Sequence, residues 1–208
     1  MKLVPVFLIA AAFIPVADAQ HISVGIAAGF PLTDGMSDFS SVANQITTHD
    51  YSNSKLYILG PMIEVRLPLS LAIEVNALYR PLNLTIDSQT GLGPIIRTSH
   101  DYSSWEFPVL GKYRLPLLPV VKPFVEAGPS FRAKGSSLSY LSGRGFSLGG
   151  GIEVKILRLR IAPVLRYTHW GSDSTVTGII CTGPCVTIPT TAPASNQNQA
   201  EFLVGLSF

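Results

Sequence analysis

Apolar and polar side chains alternate along most of this chain, and the alternation recurs in eight separate segments. Successive side chains of an extended strand point to opposite faces, so a period of two predicts β-strands. No comparable helical period occurs. The predicted strands are residues 21–30, 55–67, 71–81, 102–115, 122–132, 145–156, 158–168 and 200–208. The sequence therefore predicts an all-β fold, either a barrel or a sandwich.

The connections between the predicted strands alternate in length. Short turns fall at 68–70, at 116–121 and around Leu157, whereas the remaining connections, 31–54, 82–101, 133–144 and 169–199, are long. Long loops on one side and tight turns on the other are typical of outer-membrane β-barrels. This asymmetry predicts an eight-stranded, antiparallel, up-and-down transmembrane β-barrel over residues 20–208.

Charged side chains are confined to one face of the predicted strands. All six glutamates lie there, and each shares its face with a basic residue or a glycine. The residues predicted to form ion pairs inside the barrel are Glu64, Arg66, Glu74, Arg80, Glu106, Lys112, Arg114, Glu126, Arg132, Glu153, Lys155, Arg160, Arg166 and Glu201. The opposite faces carry no charge over 57–67, 71–79 and 105–113 in the second, third and fourth strands.

Alternation alone does not decide which face points inward, because a soluble sandwich or a lipocalin-like barrel shows the same pattern with its charges toward water. The charged face is also the face with the small residues, such as Gly25 and Gly29 in strand one and Gly149 and Gly151 in strand six. Glycine weakens a strand, but the narrow interior of an eight-stranded barrel needs small residues. The glycines therefore favour a charged interior and an apolar exterior.

Each strand also carries an aromatic residue on its apolar face, near the side with the long loops. These residues are Phe30, Tyr57, Tyr79, Trp105, Phe131, Phe146, Tyr167 and Phe202. Aromatic rings prefer the membrane interface and form girdles around membrane barrels, whereas a soluble core has no reason to order them by height. The pattern predicts an aromatic girdle.

Both termini indicate export. Residues 1–19 combine Lys2, an apolar run and the sequence Ala17-Asp18-Ala19, which is typical of a cleaved secretory signal peptide. A membrane anchor is the weaker alternative, because the run is short and contains two prolines. The final residues, AEFLVGLSF, place Phe202, Val204, Leu206 and Phe208 on one face. We interpret these four as an outer-membrane assembly signal.

Two features complicate the prediction. Pro61, Pro108, Pro123, Pro129 and Pro163 fall within or at the ends of predicted strands, and a closed barrel has no free edge to tolerate a missing donor. Bulges or shifted boundaries would accommodate them.

The last long connection contains Cys181 and Cys185, separated by three residues that include Gly-Pro. We predict a small-loop disulfide between them. A metal site is the weaker alternative, because two cysteines are too few ligands.

The segments AEFLVGLSF, SSWEFPVLGKYRLP, KPFVEAGPSFRA and RIAPVLRYTHW resemble the small outer-membrane β-barrel family, which includes OmpA-type transmembrane domains, OmpX-like proteins and short porin-family barrels. The resemblance covers the whole chain after residue 19. It implies location in the outer membrane of a Gram-negative bacterium, contact with outer-membrane lipid, and insertion by the barrel-assembly machinery.

The expected function is non-enzymatic: a structural or surface-exposed barrel whose lumen is filled by side chains. A narrow pore for ions or small solutes is the first alternative. A lipid-modifying enzyme is the second, because His169, Ser172 and Asp173 lie where strand seven enters its loop. The deacylase barrels that this arrangement resembles use His-x-Ser, which His-Trp-Gly-Ser does not match. Neither cofactor nor metal is predicted, and a net charge of +2 does not suggest nucleic acid. A surface ligand cannot be named.

Overall fold

A computed structural model describes residues 22–36, 38–43, 46–52, 56–116, 120–134, 141–156, 158–172, 178–180, 186–188 and 196–208. Within these ranges the chain is all-β. The described residues contain no helix that is long and apolar enough to cross a bilayer. The predicted signal peptide, residues 1–19, lies outside the described residues and stays a prediction.

The described residues form thirteen strands. In chain order they are β1 (Ile22–Pro31), β2 (Phe39–Ala43), β3 (Ile46–Ser52), β4 (Ile58–Arg66), β5 (Leu71–Asn76), β6 (Leu78–Thr90), β7 (Ile95–Arg114), β8 (Val121–Lys134), β9 (Arg144–Ile156), β10 (Leu159–Trp170), β11 (Gly178–Ile180), β12 (Val186–Ile188) and β13 (Asn198–Ser207).

Eight strand positions, which we call staves, form a closed antiparallel ring. Strands β5 and β6 follow one another and together occupy one stave. Each stave pairs with the next along the chain from β4 to β13, and β1 then pairs with both β13 and β4. The predicted eight-stranded up-and-down barrel is therefore confirmed. The strands β11 and β12 form a separate small sheet, and β2 and β3 extend the barrel sheet outside the ring.

The stagger of the ring follows from its register. Following the paired residues once around the ring, a path that starts at Ile22 ends opposite Leu32. The position along the chain therefore shifts by ten residues in one circuit, and this shift is the shear of the barrel. The paired residues along this path are, in order, Val65, Ile73, Gly111, Ala127, Leu148, Tyr167 and Ala200. Eight strands with this shear are tilted by about 40° to the barrel axis. Such a barrel is only wide enough to be filled by its own side chains.

The strand prolines interrupt hydrogen-bonded ladders without shifting their register. Between β7 and β8 the pairs run from Pro108–Ser130 to Gly111–Ala127, a step of three residues on both strands, although two pairs between them are missing. The ladder from β7 to β5 and β6 is likewise interrupted where Ala77 separates the two strands beside Pro108. Absent proline donors explain these gaps, and no bulge is needed.

Three segments that the sequence analysis assigned to loops, 31–54, 82–101 and 169–199, contain strands, and the last of them holds β11 and β12. Strand β6 continues to Thr90 and β7 starts at Ile95, so most of 82–101 is a long hairpin. Strands β2 and β3 occupy part of 31–54, and β3 pairs with β6. Together β2, β3 and the distal parts of β6 and β7 form a four-stranded extension beyond the aromatic residues. Strand β3 lacks the strict alternation of the barrel strands, whereas β6 continues it beyond the barrel at Leu82, Leu84 and Ile86.

Candidate functional site

The interior of the barrel is a column of charged side chains. Every residue predicted to form an ion pair there does so in the structure except Lys155 and Arg160, and the glutamates of the column are all buried. Six glutamates face Arg66, Arg80, Lys112, Arg114, Arg132 and Arg166. The paired column is electrically balanced, which offsets the cost of removing its charges from water.

Near the short turns, two arginines bridge two glutamates. Arg66 Nε donates to Glu64 Oε1 at 3.1 Å, and Arg66 Nη2 donates to Glu153 Oε1 at 3.2 Å. Arg114 Nε donates to Glu153 Oε2 at 2.8 Å, and its Nη2 donates to Glu64. Each arginine thus contacts both carboxylates, so this lowest layer of the column is charge-neutral.

At mid-height, Lys112 and Arg166 contact the next two glutamates, Glu74 and Glu126. Arg166 donates to Glu126 Oε1 at 2.8 Å and to Glu74 Oε1 at 3.5 Å. Lys112 Nζ donates to Glu74, and it lies 3.9 Å from Glu126 Oε2. Lys112 Nζ is also 3.4 Å from Glu64 Oε2, which joins this layer to the one below.

The upper layer lies toward the long loops. Arg80 Nη2 donates to Glu201 Oε2 at 2.5 Å, and Arg80 Nε is 3.3 Å from Glu106 Oε1. Arg132 donates to the same Glu106 oxygen at 3.0 Å. Arg166 Nη1 reaches Glu201 at 3.6 Å and connects the upper and middle layers. The three layers therefore form one continuous network across seven of the eight staves.

Several interior residues were not predicted from the sequence. The Gln199 amide oxygen accepts from Arg80 and Arg132 at 3.1 Å each and from Trp170 Nε1 at 3.0 Å. The guanidinium of Arg132 stacks 3.9 Å from the Trp170 ring centroid. Gln199 and Trp170 carry no charge, but both lie at inward positions in the alternation of their strands.

Apolar side chains fill the remaining interior. The cluster is Ala27, Ile58, Met62, Leu78, Phe124, Ala162, Val164 and Leu203. Beside it, a cavity of about 10 Å³ lies between the apolar wall and the mid-height ion pairs. That volume holds at most about one water molecule. The middle of the lumen is therefore closed by its own side chains.

The end of the lumen toward the long loops is covered by a second apolar cluster. Met36, Leu82, Leu84 and Leu141 are buried there, and Ile86 and Tyr102 pack against them. Gln199 Nε2 donates to the Gly35 carbonyl at 3.1 Å, which attaches the segment before Met36 to the last strand. We call these four buried residues the apolar cap. Leu82 and Leu84 follow Arg80 along β6, so the cap lies on the long-loop side of the upper ion pairs.

Lys155 and Arg160 differ from the prediction. Lys155 is exposed at the end of β9, and within the described ranges it has no carboxylate within salt-bridge distance. Arg160 donates to Ser23 Oγ at 2.7 Å instead of to a glutamate. Both residues share the inward parity of their strands, but they lie beyond the last inward glutamate, Glu153. The alternation along a strand shows which face a residue lies on. It does not show whether a residue of opposite charge lies at the same level along the barrel axis.

The predicted aromatic residues all lie on the outward face, where each is exposed or half-exposed. Phe30 pairs with Phe202 across the barrel closure, with ring centroids 5.5 Å apart. Tyr79 pairs with Trp105 at 5.4 Å, and Tyr57 lies 6.4 Å from Tyr79. The remaining three, Phe131, Phe146 and Tyr167, continue the band on β8, β9 and β10.

Inward glycines make room for the filled lumen. A Cβ atom on Gly151 would lie 2.7 Å from Cζ of Phe124, and one on Gly149 would lie 2.9 Å from Oε1 of Glu126. Both distances are shorter than a methyl group tolerates. The small residues of the charged face therefore leave the space that Phe124 and Glu126 occupy.

The last strand, β13, closes the ring between β1 and β10. Phe202, Val204 and Leu206 are half-buried on its outward face, and Glu201 is buried on the other. Phe208 is 69% exposed, and its backbone N–H donates to Val24 at 3.1 Å. The assignment of these residues as an assembly signal stays a prediction.

Of the candidate catalytic residues, the structure describes His169 and Ser172. His169 Nδ1 is 2.9 Å from Oδ1 of Asn198, whose oxygen also accepts from the Tyr167 hydroxyl at 2.6 Å. Ser172 is exposed, and Asp173 lies outside the described residues. Cys181 and Cys185 also lie outside them, so the disulfide stays a prediction. Among the described residues, no group of three or more His, Cys, Asp or Glu side chains is placed to hold a metal ion.

Comparison with protein-family models and with curated proteins finds no match to this chain. The functional argument therefore depends on the barrel and its two faces.

Proposed function

We propose that the chain is a non-enzymatic outer-membrane β-barrel that holds its long-loop side at the cell surface and does not conduct through its lumen. The observation that carries the proposal is the sorting of the barrel wall. Buried charges form a connected network inside, while the outward face between the aromatic band and the short turns is apolar on every stave. An apolar exterior of this kind suits lipid and is unsuited to water.

Several outward residues support contact with lipid. Ile63, Ile73, Val75, Val125 and Leu165 are each at least two-fifths exposed, although they are large and apolar. They lie on four staves, β4, β5, β8 and β10, so they are spread around the barrel and do not form one local patch for a protein partner. Outer-membrane lipid is the proposed environment, and the barrel-assembly machinery of a Gram-negative bacterium is the proposed partner during insertion.

The filled interior supports a structural or surface-exposed role over a pore. Continuous ion pairs, a cavity of about 10 Å³ and the apolar cap leave no aqueous path at mid-height among the described residues. Recordings of purified protein in planar bilayers test this point. We expect no steady unitary current, and a reproducible conductance would favour the narrow-pore alternative.

The four-stranded extension supports a role in binding at the cell surface. Leu92, Ile95 and Ile96 are exposed near the tip of the hairpin between β6 and β7. Apolar side chains at the tip of a protruding hairpin are suited to contact another molecule. The chemistry of that ligand is not indicated by these residues.

Membrane location is tested by fractionation and heat-modifiable migration. We expect the chain in outer-membrane fractions, with a folded band that resists detergent and shifts after boiling. Recovery in a soluble fraction, or no shift on boiling, would contradict the proposal.

The lipid-facing surface is tested by Val75→Arg, a substitution on the outward face of β5 where Val75 is 41% exposed. An arginine on the lipid face near mid-membrane costs about 2–4 kcal/mol. We expect lower folded yield and lower stability to urea in lipid vesicles. Val75→Leu controls for side-chain size at the same site, and Thr98→Arg places the same charge on the extension. If Val75→Arg assembles like Thr98→Arg, the outward face does not contact lipid.

A further inference from the structure

The four-stranded extension has a free sheet edge along the distal part of β7. From Ile95 to Ser103 this strand pairs with β6 on one side. Its pairing with β8 starts nearer the barrel, at Ser104, and no other described residue pairs with the distal part. Every residue of this stretch except Tyr102 is exposed. A row of unpaired backbone N–H and C=O groups of this length is a template for another strand.

The side chains along this edge are complementary to those of a second copy of β7. Two copies can pair antiparallel about a two-fold axis perpendicular to the sheet, and this rotation keeps each side chain on its own face. Residues that are both odd or both even in number then lie opposite each other. With the axis at Ser99, Arg97 lies opposite Asp101 of the second copy, and the same pair recurs on the other side of the axis. Ile96 lies opposite Tyr102 of the second copy in this register.

Neighbouring registers lack this match. Moving the axis by one residue, to Thr98 or to His100, places both charges of β7 opposite uncharged residues. Moving it by two residues, to Arg97 or to Asp101, places a charge opposite itself. Charged side chains on an edge strand normally discourage pairing with other chains. In this strand the charges favour one register of self-pairing over its neighbours.

Both charged side chains can reach the second copy. Directly opposite residues of an antiparallel pair have Cβ atoms about 4.5–5.5 Å apart, which is within reach of an arginine and a carboxylate. The Arg97 side chain is 69% exposed, and its Nε and Nη2 donate to Asp87 at 2.7 Å each. Within the described ranges, no residue accepts from its Nη1. Asp101 Oδ1 accepts from Asn83 at 2.6 Å, whereas its Oδ2 has no donor among the described residues.

We propose that the distal part of β7, residues 95–103, pairs antiparallel with the same segment of a second copy of this chain. The two-fold axis passes at Ser99, and two Arg97–Asp101 pairs flank it. Backbone hydrogen bonds of the new ladder provide the attraction, and the ion pairs set the register. Ile96, which is 66% exposed in the single chain, is then covered by Tyr102 of the second copy.

The symmetry also determines how the two barrels are oriented. A two-fold axis perpendicular to a sheet reverses every direction within that sheet, including the axis of the barrel whose wall β7 continues into. The two barrels therefore point in opposite directions. This step rests on the proposed function: if the long-loop side is at the cell surface, the two copies pair across facing membranes. The extension is then a contact between cells, and many weak contacts between two surfaces reinforce one another.

Disulfide trapping in octyl glucoside micelles tests the pairing without a membrane. In a chain with Cys181→Ser and Cys185→Ser, Ser99→Cys places a cysteine opposite itself, with Cα atoms about 4.5–5.5 Å apart. We expect oxidation by copper phenanthroline to give a dimer that reductant separates. Ser103→Cys is the matched control, because Ser103 is exposed on the same face of the same strand. It lies opposite Ile95 of the second copy, too far from its own equivalent for a disulfide, so we expect no dimer.

The charges are tested in the Ser99→Cys background. Asp101→Arg keeps the Arg97–Asp87 pair but places like charges opposite each other on both sides of the axis. The trapped dimer should fall about fivefold or more, since directly opposite like charges are destabilising. Arg97→Asp should have the same effect. An equimolar mixture of the two variants places unlike charges opposite each other and should restore the dimer. Heat-modifiable migration confirms that each variant is folded.

Two results would overturn the pairing. One is equal trapping through Ser99→Cys and Ser103→Cys. The other is a mixture of the Asp101→Arg and Arg97→Asp variants that traps no more dimer than either variant alone.

The facing arrangement is tested by turbidity of lipid vesicles that contain the protein. Vesicles with the unsubstituted chain should cluster, and vesicles with Asp101→Arg at the same protein density should stay dispersed. Dispersed vesicles of the unsubstituted chain would contradict pairing across facing membranes. Recovery of the chain in a soluble fraction would contradict the proposed function alone, because trapping in micelles does not depend on membrane location.

Discussion

At the scale of single residues, the interior carboxylates and cations depend on one another more than on water. Arg166 is buried and contacts carboxylates on three different strands: Glu74, Glu126 and Glu201. Breaking a buried ion pair by removing one partner costs about 3–5 kcal/mol, whereas replacing both partners with apolar side chains is often neutral. Removing one charged partner from the network should therefore reduce stability more than replacing both partners of a pair.

A double-mutant cycle on Arg166 and Glu126 tests this dependence. We expect Arg166→Met alone to reduce the free energy of unfolding by about 3–5 kcal/mol, because Glu126 would remain buried without its arginine. Arg166→Met with Glu126→Leu should cost less than Arg166→Met alone. Urea unfolding in lipid vesicles measures both values. Additive losses would show that the two side chains do not stabilise each other.

An ion pair on the four-stranded extension, outside the barrel, contributes to stability in a way that depends on pH. On the extension, Arg97 Nε donates to Asp87 Oδ1 at 2.7 Å, and this hydrogen bond and charge lower the pKa of Asp87 below its ordinary value. The pair also raises the pKa of Arg97. Because the Asp87 pKa is lower in the folded hairpin, the pair contributes fully above the ordinary aspartate pKa of about 3.9. The contribution is lost as the pH falls through the lower, folded value.

We therefore expect the hairpin between β6 and β7 to stay closed at mildly acidic pH. An NMR titration of the Asp87 carboxyl should give a midpoint below 3.9, the ordinary value. Arg97→Gln should raise that midpoint. Thr98→Arg, which adds a charge on the next residue without removing the pair, should not raise it. An Asp87 midpoint that is the same with and without Arg97 would contradict the assigned cause.

At the scale of elements, β13 has a dual role, since it supplies Glu201 to the ion pairs and closes the ring. We expect deletion of Phe208 to lower the folded yield in cells far more than replacing Cys181 and Cys185 with serine. Phe208 ends the proposed assembly signal, whereas a disulfide across three residues closes too short a loop to stabilise much. Heat-modifiable migration of membrane fractions measures the folded fraction. Equal yields would count against an assembly role for the terminus.

The barrel elements were predictable because their pattern is local. Alternation in a strand such as β4 separates Glu64 from Ile63, and that separation needs no knowledge of neighbouring strands. The extension was missed although Leu82, Leu84 and Ile86 alternate with polar residues in β6, because β3, which pairs with this segment, has polar residues on both faces and shows no alternation. The gap at Ala77 was missed because its cause, Pro108, lies on another strand.

The composition of the ion-pair column was predictable for the same reason, but its connectivity was not. Arg66 contacts Glu153, 87 positions away in the chain, and Arg80 contacts Glu201, 121 positions away. These contacts depend on the stagger of the whole ring, which sequence parity does not determine. Gln199 and Trp170 were missed because neither carries a charge. Lys155 and Arg160 were assigned partners because parity does not specify height.

At the scale of the whole molecule, the two ends of the lumen differ. The long-loop end is covered by the apolar cap, whereas the short-turn end contains a cavity of about 140 Å³ whose lining includes Arg66, Arg114, Lys122 and Glu153. The ion-pair column separates the two ends. Among the described residues, the open part of the lumen therefore lies at the short-turn end, next to the lowest ion-pair layer.

The cap and the column are predicted to seal the lumen independently. Met36→Ser with Leu141→Ser should disrupt the apolar cap, yet planar-bilayer recordings should still show no steady current. The reason is that the ion pairs of Arg80, Lys112 and Arg166 remain in place beneath it. Val75→Leu, which changes an outward side chain, controls for general effects of substitution. Conductance in the cap variant alone would show that the column does not block ions.

The ten-residue stagger of the closed sheet also constrains how the barrel is assembled. A shift of β1 against β4 by one residue would give an odd stagger, and side-chain parity would then be inconsistent around the ring. A shift by two residues would keep parity but would separate Ser23 from Glu64 and Gly25 from Met62 along the seam. The pairing of β1 with β4 can therefore be in register only when all the other staves of the ring are in register too.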